Sequence, residues 1–118
     1  TGSHPIRSRI KTAHAEDSIK IIEGDACETT LDFRPHSGSI SLLYIDCNSY
    51  MASKSSISNL KKYLRPSSLI FVDGGFPGVS GDIDGEKQAL LEYAQENNLP
   101  IFRTFFGDWC SFFVQVSK

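Results

Sequence analysis

Three aspartates follow directly on β-branched or apolar runs: Asp25 after "IKIIEG", Asp46 after "ISLLYI" and Asp73 after "SLIFV". Carboxylates at the ends of neighbouring parallel strands fall where open α/β sheets collect their ligands. A pair such as Asp46 and Asp73 can share a hard divalent cation, magnesium or calcium, with water completing the shell. Asp25, behind a glycine, can accept hydrogen bonds from a nucleotide's exocyclic amine or hydroxyls. The plainer alternative for Asp46 and Asp73 is that each caps the next helix or satisfies loop amides, which is common for aspartate at a strand exit, and Asp25 can equally just end a strand.

Other reactive residue types offer less. Cys27, Cys47 and Cys110 are scattered and odd in number, with no C-x-x-C spacing, which indicates neither a zinc site nor a disulfide framework. Cys47 has no evident histidine partner, and His14 and His36 sit in polar stretches without a second ligand at metal spacing. The loop Gly74 to Gly85 carries Asp82 and Asp84 among its glycines, but it lacks the ligand spacing and closing glutamate of an EF-hand. A mobile lid or solvated loop is the expectation there. Neither G-x-x-x-x-G-K-[ST] nor G-x-G-x-x-G after a strand occurs anywhere.

The elements that must position these residues alternate along the chain. "PIRSRIKTAHAED", residues 5 to 17, reads as a polar arm or short helix behind a "TGSH" start that resembles a tag remnant (residues 1–4). "SIKIIEG", from Ser18, predicts a strand ending at Gly24, and "DACETTLDF" a turn into a short helix. "ISLLYI" is apolar without interruption, the pattern of a parallel strand covered on both faces. Ile57, Leu60 and Leu64 recur at helical spacing over Ala52 to Leu64, and "RPSS" is expected to stop that helix with its proline. "SLIFVD" predicts a second buried strand. "EKQALLEYAQENN" predicts a helix whose apolar face is Ala89, Leu90, Tyr93 and Ala94. The last runs, "PIFRTFF" and "WCSFFVQVSK", flank "GD" and predict an antiparallel hairpin with a type II′ turn, with Trp109 and its neighbouring phenylalanines packing it.

At 118 residues and 40% hydrophobic content, one modest domain with a real core is expected over residues 18–118. Fourteen acidic residues against twelve basic ones leave no broad basic surface, so nucleic acid is not the expected partner. No apolar stretch approaches a membrane span, and the expectation is a soluble cytoplasmic protein with reduced thiols.

Taken in order, "IKIIEGDACETTL", "LLYIDCNSY" and "LIFVDGG" with the terminal hairpin resemble the C-terminal half of a class I S-adenosylmethionine (SAM)-dependent methyltransferase. The closest similarity is to the macrocin O-methyltransferase group and its catechol O-methyltransferase-like relatives. The resemblance implies a Rossmann-like α/β half-fold, a mostly parallel sheet that lacks the family's first two strands and ends in an antiparallel hairpin. It places Asp46 and Asp73 on metal-ligand positions for Mg2+, Asp46 also on the position of catalytic proton handling, and Asp25 and Ala26 beside the adenine of SAM. Two positions depart from the pattern. Asn48 stands where the family often has aspartate, and Gly74 where the second aspartate of V-D-D would be, which lowers the charge available to a magnesium ion.

In the family's sheet order, 3-2-1-4-5-7-6, two further strands separate the strand expected at Ser18 from the one at Ile40. Either those two pair directly, giving a contracted five-stranded sheet, or another chain fills the space, a second copy or the N-terminal half of a parent protein. The function expected from the resemblance is methyl transfer to a small-molecule hydroxyl, by a domain incomplete or inactive alone. A non-catalytic interaction or oligomerisation module on the same fold is the alternative. "YIDCN" is also loosely similar to the D-x-D run of haloacid dehalogenase-like phosphatases, but Asn48 replaces the second acid.

Overall fold

The computed structural model describes residues 4–75, 83–106 and 109–117. In chain order its elements are α1 (His4–Thr12), α2 (Ala26–Asp32), β1 (Ile40–Ile45), α3 (Tyr50–Leu60), a single 3-10 turn (Lys61–Tyr63), β2 (Leu64–Gly75), α4 (Ile83–Glu96), β3 (Phe102–Phe106) and β4 (Trp109–Gln115). The strands form one sheet in the order β1-β2-β4-β3, parallel between β1 and β2 and antiparallel thereafter. That is the order the resemblance implies for the family's last four strands. The sheet begins parallel and closes with the expected antiparallel hairpin, while residues 107 and 108, on which the expected turn type falls, lie outside the described residues.

One face of the sheet carries the core. Ile45 on β1, Ile70 and Val72 on β2 and Val114 on β4 point to it, because alternate residues of a strand share a face. On α4, Ala89, Leu90, Tyr93 and Ala94 meet them along the helical stripe read from the sequence. The α3 helix lies beside α4 and adds Ile57 and Leu60, and α2 packs on α3, where the Asn59 side-chain amide donates to Thr30 Oγ1 at 2.9 Å. Helices therefore cover one side of the sheet.

Several local expectations are corrected. Ser18 to Gly24 contains no strand: the segment is irregular, and neither the five-stranded sheet nor a pairing with β1 forms. β-branched residues favour an extended backbone, but a strand exists only where a neighbour supplies hydrogen bonds. Parallel pairing is therefore confined to β1 and β2. The helix read to Leu64 ends earlier, at Leu60 and its 3-10 turn, and "RPSS", expected only to stop it, belongs to the irregular start of β2. Ser68 holds that irregularity, its hydroxyl donating to the Ile40 carbonyl at 2.6 Å and accepting the Arg65 amide at 2.8 Å. Ser67, at φ +78°, turns its amide to the Val116 carbonyl at 2.8 Å. Asp84 belongs to α4 rather than to a loop, whereas Asp82 lies outside the described residues.

β1 is also not covered on both faces. Leu42 and Tyr44 are 55% and 54% exposed, on the face opposite the helices. Tyr44, Phe71, Phe113 and Phe102, one from each strand, stack ring to ring across that face at centroid distances of 6.4, 4.8 and 5.2 Å. The polar arm forms α1, which buries no residue and is tied by the Arg7–Glu23 ion pair at 3.6 Å. Among the described residues no helix is long and apolar enough to cross a membrane.

Candidate active site at the carboxyl edge of the sheet

The parallel register Ile45↔Val72 delivers Asp46 and Asp73 side by side at the carboxyl ends of β1 and β2, and β4 sets Ser111 opposite Asp73. Asp46 is exposed, whereas Asp73 is buried. Partial desolvation, the charge of Asp73 and a hydrogen bond between the two carboxyls all raise the pKa of Asp46 above the usual carboxylate range. Tyr44 lies one row back on the same face. Its phenol is pushed up first by desolvation, then by the charges of Asp73 and Asp46, while a hydrogen bond from Ser111 works the other way.

A third carboxylate closes this group from the helix side. Glu86, in the first turns of α4, is fully buried, and its Oε1 accepts the main-chain N–H of Asn48, which sits in the left-handed region at φ +49°. Asparagine tolerates that conformation better than most residues. Glu86 Oε2 is buried without a hydrogen-bond partner among the described residues. Desolvation lifts the Glu86 pKa to about 7; the Asn48 amide opposes this, and the charges of Asp46 and Asp73 reinforce it. The Asp73 amide favours the charged form more weakly, and it does not meet hydrogen-bond geometry at Oε2.

Sequence reasoning missed Glu86, although a signal was present. It lies three residues before Ala89 and four before Leu90, so it extends the buried stripe of α4 by one turn. A carboxylate on an apolar stripe is the anomaly to look for.

Asp25 and Ala26 are not part of this carboxylate group. Asp25 is exposed and caps α2, its Oδ1 accepting the Cys27 amide at 2.8 Å, rather than ending a strand. Gly24 before it is required: φ is +139°, and an added Cβ would stand 2.8 Å from the Thr29 methyl. The head of α2 reaches the start of α3 through the Cys27 thiol, 3.7 Å from the Met51 carbonyl.

Asp46 and Asp73 offer hard oxygen donors of the type magnesium selects. Asn48 and Gly74 add no further carboxylate, and the buried Glu86 carboxylate is engaged by the Asn48 amide. Among the described residues, no group of three or more His, Cys, Asp or Glu side chains is arranged to hold a metal ion. The described donors do not make up a magnesium site by themselves, and no chemical step is assigned to one.

Residues 2–74, more than half of the chain, match the family described as methyltransferase domain. The chain belongs to the methyltransferase-domain family. Solved structures share the fold of this methyltransferase domain at low sequence identity. A Klebsiella pneumoniae protein designated an O-methyltransferase superposes with a TM-score of 0.74 at 17% identity, over 95% of this chain and 56% of the other. CalS11, a TDP-rhamnose 3′-O-methyltransferase of calicheamicin biosynthesis, gives 0.69 at 19% identity, over 98% and 52%. An O-methyltransferase from Bacillus cereus, solved with S-adenosylhomocysteine (SAH), gives 0.68 at 16% identity, over 95% and 56%. The methyltransferase domain thus spans about half the length of the solved proteins it resembles. No curated protein sequence matches it.

Proposed function

We propose that this domain forms part of the site of a SAM-dependent O-methyltransferase acting on a small-molecule hydroxyl. The observation that carries the reading is the Asp46–Asp73 pair at adjacent strand exits, with the Asp46 pKa raised by partial desolvation and by its neighbour. A carboxylate nearer neutrality is the better proton acceptor for a hydroxyl, and a fixed partner holds its orientation. Ionised Asp46 takes the proton from the substrate oxygen, and the carboxyl so formed donates it in a hydrogen bond to Asp73, which stabilises the protonated state. Glu86 braces the exit loop behind Asp46 by holding the Asn48 amide. The exposed Asp25 and the adjoining Ala26 receive the adenine side of SAM, which when bound supplies an activated methyl group on sulfur. SAH in the Bacillus cereus protein supports this choice of cofactor. Cys27 and Cys47 are free thiols, in keeping with a cytoplasmic location.

Calorimetric titration with SAM tests the reading. Heat that saturates at or below millimolar ligand, and that weakens in Asp25→Ala, is the expected result. No heat at millimolar SAM would favour the second reading, a non-catalytic interaction module. That reading has its own support in the uncovered face of the sheet.

A further inference from the structure

The Glu86 carboxyl sits between the two strand exits. Its Oε1 accepts the Asn48 N–H just past β1, while the Asp73 N–H at the end of β2 acts on the same carboxyl from the other side. Asp46 and Asp73 are joined by a hydrogen bond across the same gap, so carboxyls from β1, β2 and α4 converge at one place on the sheet edge. An acidic cluster by itself is no more than a solvated surface. Glu86 sets this one apart: its side chain is fully buried, and Oε2 meets no hydrogen-bond donor among the described residues. A buried acceptor left open carries a desolvation penalty that a ligand's N–H removes. The charges that act most on Asp46 and Glu86 are those of carboxylates. Lys87, next to Glu86 on α4, lies instead over the Phe112 ring at 4.8 Å, and Lys54 pairs with Glu92 and Glu96.

Three kinds of cation can answer that charge. Magnesium demands near-octahedral oxygen coordination, which the described donors do not supply. A sulfonium carries the charge but no N–H, and it leaves Oε2 unsatisfied. A protonated amine brings the charge and three donors on one atom, and it needs no complete coordination shell. We infer that the substrate carries a protonated primary amine on the carbon next to the reacting hydroxyl, held by Glu86 Oε2 and the Asp73 carboxylate while Asp46 faces the hydroxyl. The spacing follows from the sheet. Neighbouring strands lie about 4.8 Å apart, so groups meeting Asp46 and Asp73 are adjacent substituents of one small molecule. On the methyl-transfer reading, on which this assignment rests, the substrate class is a vicinal amino alcohol, of which an amino sugar is one form.

The test follows amide shifts of the 118-residue domain by 1H–15N NMR, slightly below neutral pH, where the amines are charged. The probes are ethanolamine, glucosamine and 2-amino-1-phenylethanol, each beside its N-acetyl derivative. At least one amine should move the Asn48 and Asp73 amides and bind at least about tenfold more tightly than its uncharged partner, the worth of one charged hydrogen bond. Glu86→Gln should abolish that preference, and Asp73→Asn is read in its place if Glu86→Gln does not fold. Asp46→Asn should weaken amine and amide alike. No preference in any wild-type pair overturns the inference, as does a preference that survives Glu86→Gln. Magnesium chloride that moves the same amides and displaces the amine also overturns it, and assigns the carboxylates to a metal. Titration with SAM separates the two readings. SAM heat without an amine preference sinks the amine assignment alone, whereas an amine preference without SAM heat keeps the ammonium site and sinks methyl transfer.

Discussion

Two carboxylates near each other are held in opposite ways. Asp46 is open to solvent and shares its hydrogen bond with Asp73, whereas Glu86 is enclosed and holds a main-chain amide. For Glu86 the folded-state pKa of about 7 stands above its unfolded value of 4.5. The native state therefore keeps the proton more tightly than the unfolded chain, and the linked stability is complete below about pH 4.5 and lost as pH rises through 7. The swing is on the order of 3 kcal/mol. Glu86→Gln keeps an acceptor for Asn48 and removes the titration, so it should flatten the difference in urea midpoint between pH 5 and pH 8. Equal pH dependence in the two proteins would refute the assignment. Asp46 and Asp73 were legible in the sequence because each ends an apolar run. Glu86 was legible only as a carboxylate on the apolar stripe of α4, and its bond to Asn48 was not, because the two meet only after the chain has passed through α3 and β2.

At the scale of elements, the caps and helix contacts separate structural from ligand-binding roles. Asp25→Ala removes the cap of α2 and should cost roughly 1 kcal/mol, whereas Asp25→Asn caps about as well and should leave the melting temperature nearly unchanged. If Asp25 also meets a cofactor amine, calorimetry should show the Asn variant losing SAM affinity despite its intact fold. Between α3 and α4, Glu92 accepts the Tyr50 hydroxyl at 2.6 Å and pairs with Lys54 at 2.9 Å, with Gln88 donating to its second oxygen at 3.1 Å. The Tyr50 hydrogen bond, then those of Lys54 and Gln88, lower its pKa to about 2. The sign is opposite to that of Glu86: this stability is present above pH 4.5 and lost as pH falls toward 2. Glu92→Gln should therefore lower the melting temperature at pH 7 and change it little at pH 2. α2, α4 and β1 were readable because their patterns are local. The strand expected at Ser18 failed because pairing is not local, and the helix stopped short of Leu64 because "RPSS" joins β2, where Ser68 bonds the Arg65 amide and the Ile40 carbonyl of β1.

For the whole molecule, stability concentrates on the middle of the sheet. Ile70 is fully buried on β2, between β1 and β4 and beneath the helix layer. Ile70→Ala should cost about 2–5 kcal/mol in chemical denaturation. A loss much below that would mean that the core closes around the vacancy. The architecture as a class was legible, since alternation of strand and helix followed by a hairpin survives intact. The face left open was not, because an uninterrupted apolar run such as "ISLLYI" reports that both sides are suited to burial without naming what buries them.

β3 precedes β4 in the chain, yet it lies outside β4 and touches no other strand. A ribosome therefore delivers Phe102–Phe106 before its place in the sheet has been made. At typical elongation rates the wait for β4 is on the order of a second. During that interval β2 has a free inner edge and an aromatic strand hangs beside it unpaired. A chain released after Phe106 would keep both the β2 edge and the aromatic strand unpaired, and should be the form most readily captured by chaperones.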